Sequence, residues 1–169
     1  MTKSVVVLAV PHQLQNPKTY GHISDPSYSN LIEVFINKGV DFVFEEASGL
    51  GPTIAQSLAE SLLGVGHYMD IDPAPSDRAE YGIARITGGR RSFDPSEFES
   101  DQPDSYEFAI VEEQKKREEL WSKRVADEPF EKGLAICGVC HGLSLAFHLQ
   151  KAGVSVVDAC SYIPYHKMH

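Results

Sequence analysis

His12 and His141 close two stretches of the same design. Val6-Val7-Leu8-Ala9-Val10-Pro11-His12 and Leu134-Ala135-Ile136-Cys137-Gly138-Val139-Cys140-His141 each run through apolar residues to a small one, then two more, then the imidazole. Imidazole moves protons near neutral pH and ligates borderline metal ions, so two of them at matching places suggest one shared site. Glu45-Glu46 follows the apolar run Val40–Phe44 in the same way and brings a carboxylate to the same edge. Neighbouring strand residues point to opposite faces, so one of the pair, Glu46 or Glu45, enters the site while the other caps a helix or faces solvent. Two His and one Glu form a ligand set for zinc or manganese (His12, Glu46, His141) and serve equally as a metal-free general-base site.

Further candidates surround this set. Glu113, Arg117, Trp121 and Arg124 fall on one helical face, with Glu118-Glu119 beside it. A tryptophan between two arginines predicts a partly buried face where Arg117 meets a carboxylate or an oxyanion. Arg85, Arg90 and Arg91 flank Gly88-Gly89 and are the concentrated positive charge of an acidic chain, suited to an anionic substrate group or to a solvated hairpin tip. Asp70 and Asp72, in Asp-Ile-Asp-Pro, read as turn and capping residues. Catalysis is thus expected from His12, Glu46, Arg117 and His141, and substrate contacts from Glu45, Arg85, Arg90 and Trp121. Cys137-Gly138-Val139-Cys140-His141 matches a thiol redox motif and the c-type haem attachment signal, which keeps a thiol oxidoreductase open as an alternative.

The elements that must position these residues can be read from periodicity. Ser4–Val10 is a continuous β-branched run, the pattern of a central strand covered on both faces. Asp25 caps a helix that starts at Pro26, carries Leu31, Ile32, Phe35 and Ile36 inward and stops at Gly39. A strand at Val40–Phe44, a helix from near Pro52 through Leu63 and a short strand within His67–Asp72 follow. Pro73, Pro75, Pro95 and Pro103 punctuate an irregular stretch, in which Ile83–Thr87 and Arg90–Phe93 form a hairpin about Gly88-Gly89. A long helix over Asp104–Asp127, a strand over Gly133–Cys137, a helix from about His141 to Lys151 and a strand over Val154–Val157 complete the chain. Strands alternating with helices predict an α/β fold with a mostly parallel sheet, from which residues 73–103 project as a lid or hairpin. In such sheets the ligand crevice lies beyond the carboxyl ends of the strands, where both histidines fall.

With 169 residues the chain is one domain. It is 42% hydrophobic and 23% charged, with 15 Lys+Arg against 24 Asp+Glu, which excludes a disordered or collagen-like chain. The net charge of −9 repels phosphate backbones and anionic headgroups, so neither nucleic acid nor membrane is expected as a partner. No apolar run approaches the roughly 18 residues that span a bilayer, no signal peptide is apparent, and three cysteines are an odd count. The expectation is a cytoplasmic protein, with a homodimer left open.

Gly138-Val139-Cys140-His141 resembles the G-x-x-H motif of the TraB/Tiki proteins, within the erythromycin-esterase-like and ChaN-like superfamily. Ala9-Val10-Pro11-His12 resembles the matching first-strand motif, with Ala in place of Gly. The resemblance implies paired His and Glu residues at strand ends, with Glu45 or Glu46 and Arg117 as the accompanying acid and arginine. It also implies a hydrolase of a small molecule or peptide, metal-assisted in some members. ChaN-like relatives are associated with haem, so a non-catalytic module binding a metal, haem or small ligand is the third expectation.

Overall fold

The computed structural model describes residues 2–15, 25–48, 51–74, 76–83 and 103–164, with only the backbone of 103–111. The expected hairpin about Gly88-Gly89, its arginines Arg85, Arg90 and Arg91, and residues 84–102 of the expected lid lie outside the described residues.

Strand β1 covers Ser4–Val10 and runs through Pro11 into a single helical turn, α1, at His12–Gln15. Helix α2 spans Pro26–Asn37; Asp25 caps it by accepting from the Ser27 amide at 2.9 Å, and Pro26 takes the first turn, where no amide is needed. Strand β2 is Phe42–Glu45, and α3, Ile54–Leu62, starts at the Thr53 cap, whose hydroxyl accepts from the Gln56 amide. Strand β3 (Tyr68–Asp70), a short 3₁₀ turn (Arg78–Tyr81), the long helix α4 (Pro103–Asp127), β4 (Lys132–Gly138), α5 (Gly142–Lys151) and β5 (Ser155–Ser161) follow. The last strand runs four residues beyond its expected end. Its burial pattern is mostly exposed, so hydropathy alone did not mark its extent.

All five strands are parallel, in the order β3-β2-β4-β1-β5. One face carries α2 and α3 over Leu8, Val10, Val43, Leu134 and Ile136; the other carries α4 and α5 over Val7, Phe44, Ala135 and Cys137. The two central strands are therefore buried on both sides, which is why they read as unbroken apolar runs. From adjacent strands β2 and β4 the chain departs to opposite faces, through α3 and α5 respectively. In open parallel sheets such a divergence marks the crevice beyond the carboxyl ends of the strands where ligands bind. The register of β1 against β4 pairs Val10 with Gly138, so the two histidine-bearing ends finish side by side at this crevice. Among the described residues no helix is long and apolar enough to cross a membrane.

Candidate functional site

Glu46, the first residue beyond β2, is the centre of the site. Its Oε2 accepts from the Gly138 amide at 2.8 Å, and its Oε1 accepts from Arg117 Nη2 at 3.0 Å. The Nε2 atoms of both histidines face that same Oε1, His12 at 3.9 Å and His141 at 3.8 Å. Two imidazoles from different strand ends thus converge on one carboxylate oxygen. Gly138 allows this closeness: a Cβ there would stand 2.7 Å from His12 Nε2 and 3.4 Å from Glu46 Oε2. A small residue at the end of the strand is a steric requirement of the histidine above it.

The two imidazoles differ in setting. His141 is buried against Trp121, edge to face, and its Nδ1 donates to Glu118 Oε1 at 2.6 Å. Burial alone would lower its pKa. The hydrogen bonds to Cys140 and Glu118 and the charge of Glu46 outweigh that and lift it to about 10. It is therefore an imidazolium at neutral pH. It also precedes α5 without capping it through its side chain, so its place is not explained by helix capping. The His12 side chain is 43% exposed, and its Nδ1 lies 2.7 Å from Gln15 Oε1, one turn on in α1. His12 is the member of the cluster that meets solvent.

A second layer holds the first. Arg117 and Trp121, one turn apart on α4, both reach Asp72: Arg117 through Nε at 3.2 Å and Nη2 at 2.9 Å, Trp121 through Nε1 at 3.0 Å. Asp72 also accepts from Arg78 Nη2 at 2.6 Å and from the Ser48 hydroxyl at 2.5 Å. Ser48 adopts φ of +54°, a conformation few non-glycine residues take, and this turns its hydroxyl toward Asp72. Burial would raise the Asp72 pKa, but the hydrogen bonds and charge of Arg117, with Ser48 and Arg78, hold it below the usual carboxylate value. Glu118 binds His141 with one oxygen and the Ser144 hydroxyl with the other, and His148 Nε2 lies 3.9 Å away.

The expected residues separate accordingly. His12, Glu46, Arg117 and His141 come together. Of the glutamate pair, Glu46 enters the crevice. Glu45 neither caps a helix nor faces solvent: it is fully buried on the α3 side, accepting from the Thr53 and Tyr68 hydroxyls and the Gln15 amide. Its expected substrate contact is corrected by that burial, which leaves it no surface to offer. Trp121 is corrected likewise, since it is fully buried and forms the floor under His141. Arg117 keeps its place, but its Nε and Nη2 are engaged by Asp72 and Glu46, so it holds carboxylates in position where stabilisation of developing charge was expected. Glu113 pairs with Lys116 at the surface, and Arg124 reaches the Ile71 carbonyl and the Tyr81 hydroxyl.

Asp70 is the last residue of β3, and its side chain caps backbone as expected, accepting from the Ala47 and Asp72 amides; Asp72 is a network centre that its turn-like sequence conceals. Gln15 and Glu118 were also missed as site residues. Glu118 had a faint signal, lying three residues before Trp121 on the inward side of the helix.

Cys137 is buried in β4 and Cys140 is exposed; with Cys160, all three are free thiols. Burial, with the nearby carboxylates adding to it, pushes the Cys137 thiol well up, opposite to the shift that activates a redox thiol. For a divalent ion, the facing Nε2 atoms are suitable donors. However, Arg117 and the Gly138 amide already occupy the Glu46 oxygens, and His141 is held as a cation. Among the described residues no three His, Cys, Asp or Glu side chains are grouped as a metal site.

No family model, no curated protein and no solved structure matches the chain.

Proposed function

We propose that the protein is a hydrolase of a small molecule or peptide, with His12 as general base and His141 as the acid beside it. The observation that carries this reading is the convergence of both Nε2 atoms on Glu46 Oε1, at 3.9 and 3.8 Å, with the two imidazoles in different settings. His12, anchored to a neutral amide and open to solvent, takes a proton from the attacking water. His141, anchored to the Glu118 carboxylate, carries a proton that it donates to the developing negative charge or the leaving group. Glu46 sets the spacing between them, and Arg117 keeps Glu46 in place. The motif resemblance of Gly138-Val139-Cys140-His141 and Ala9-Val10-Pro11-His12 to TraB/Tiki-like proteins points the same way. Three free thiols support a reducing, cytoplasmic setting for it.

The test is turnover of a panel of chromogenic esters, phosphoesters and peptide amides by the full chain. His12→Ala and His141→Ala are each expected to lower kcat by roughly 100-fold or more on any substrate turned over. Undiminished turnover in both variants would overturn the site. Elemental analysis separates the metal-free route from a metal-assisted one, since one equivalent of zinc or manganese that is lost in His12→Ala would overturn the former. Activity that survives His12→Ala but vanishes in Cys140→Ser would move the assignment to thiol chemistry.

A further inference from the structure

We propose that Gln15 and Glu45 form a tautomer lock on His12, fixing its proton on Nδ1 so that Nε2 presents a bare lone pair toward Glu46 and His141. The argument is one of donor and acceptor polarity. The Gln15 Nε2 group lies 3.1 Å from Glu45 Oε1 and 3.3 Å from the Glu46 backbone carbonyl. A carbonyl can only accept, so the NH₂ end of Gln15 must point there, and its Oε1 must point at His12 Nδ1, 2.7 Å away. That contact is a hydrogen bond only if Nδ1 carries the proton. Neutral imidazole then has its lone pair on Nε2, the form a general base requires.

Glu45 gives the lock its direction. The Thr53 hydroxyl already accepts from the Gln56 amide, so its proton goes to Glu45; Tyr68 donates to the same oxygen, Oε2, leaving Oε1 for Gln15. The carboxylate is fully buried, and every side chain bonded to it serves as a donor. A buried acceptor with this surround rejects the flipped amide, which would set oxygen against oxygen. Gln15 and Glu45 touch neither water nor substrate in this scheme; they are positioning residues that act through His12.

The consequence for turnover rests on the hydrolase reading, whereas the lock itself can be seen without any substrate. Nitrogen-15 NMR of histidine-labelled protein, at about pH 8.5 where an ordinary imidazole is neutral, reads the tautomer directly, with His12→Ala assigning the signal. The wild type is expected to show His12 protonated on Nδ1. Gln15→Leu should release it to a mixture or to the Nε2–H form. Gln15→Glu alone sets two carboxylates together. Combined with Glu45→Gln it reverses the contact between 15 and 45, with Gln at 45 donating to Glu at 15, at the cost of an oxygen facing the Glu46 carbonyl, and it keeps an acceptor against His12 Nδ1. The double variant should therefore recover the Nδ1–H signal.

A wild-type signal of the Nε2–H form, or a Gln15→Leu spectrum unchanged from wild type, overturns the lock even if the double variant does not fold. Where a substrate is found, Gln15→Leu should lower kcat roughly 10–100-fold at unchanged KM, with the double variant restoring most of it. A locked His12 in a chain that turns over nothing would refute the hydrolase reading and leave the lock standing.

Discussion

Among the described residues, removing Arg117 takes from Glu46 the one side-chain cation hydrogen-bonded to it and leaves Asp72 with Arg78 alone as its ion-pair partner. Its Nη2 sits between Glu46 Oε1 and Asp72 Oδ2, with its Nε on the other Asp72 oxygen, and all three side chains are buried. A buried ion pair adds little net stability over apolar packing, yet loss of one partner leaves a charge without compensation. Arg117→Met is therefore expected to destabilise the fold by about 3–5 kcal/mol, read from the urea midpoint at neutral pH. Arg117→Lys keeps the charge but cannot span both carboxylates, so it should lose less stability than Met while still misplacing Glu46. An Arg117→Met midpoint equal to wild type would show that the network is not holding the fold. At this scale the sequence marked what repeats. His12 and His141 were legible because each follows an apolar run at the same offset; Asp72 was not, because Asp-Ile-Asp-Pro is equally the composition of a turn, and its partners arrive from residues 48, 78, 117 and 121.

The strand ends position the two histidines, and the register of β1 against β4 decides their distance. Val10 pairs with Gly138, so the two ends finish level, and only a residue without a side chain at 138 leaves room for the His12 ring. Gly138→Ala would put a Cβ 2.7 Å from His12 Nε2. The ring is 43% exposed and has solvent to swing into, so the expected loss of stability is small, about 1 kcal/mol. Turnover should instead fall close to the level of His12→Ala, because the swing carries Nε2 away from Glu46. Equal kcat in Gly138→Ala and wild type would mean that the close approach has no catalytic use. The unbroken apolar runs of β1 and β4 made their central places readable from sequence, and the Asp25-Pro26 pair marked the start of α2. The order β3-β2-β4-β1-β5 was not readable: it depends on which face each helix covers, and α4 and α5 declare theirs only through contacts distant in sequence.

Three buried groups and the net charge together set how the whole molecule responds to pH. Asp72 is held below its ordinary value, so its contribution is present above the unfolded carboxylate pKa and is lost as pH falls through the folded one. Glu45 behaves oppositely. Burial, only partly offset by the hydrogen bonds of Thr53, Tyr68 and Gln15, raises it from 4.5 to about 7, so the folded state holds a proton that the unfolded chain has released, and stability declines between those values. His141, raised from 6.5 to about 10, gives stability that is complete below 6.5 and is lost as pH climbs toward 10. The charge of −9, already present at pH 7, adds self-repulsion on the alkaline side. All these effects place the optimum in acid solution, above the range where Asp72 protonates and below 4.5, where the unfolded Glu45 begins to ionise. Thermal unfolding across about pH 3–10 should give a Tm that peaks near pH 4 and falls steadily through neutrality. Glu45→Gln should flatten the fall between 4.5 and 7, and His141→Gln the fall between 6.5 and 10, each leaving the other limb intact. A Tm that rises from pH 5 to 8 in the wild type would mean that Glu45 is already ionised at pH 5 in the folded chain, and that its burial is compensated by more than the three donors bonded to it.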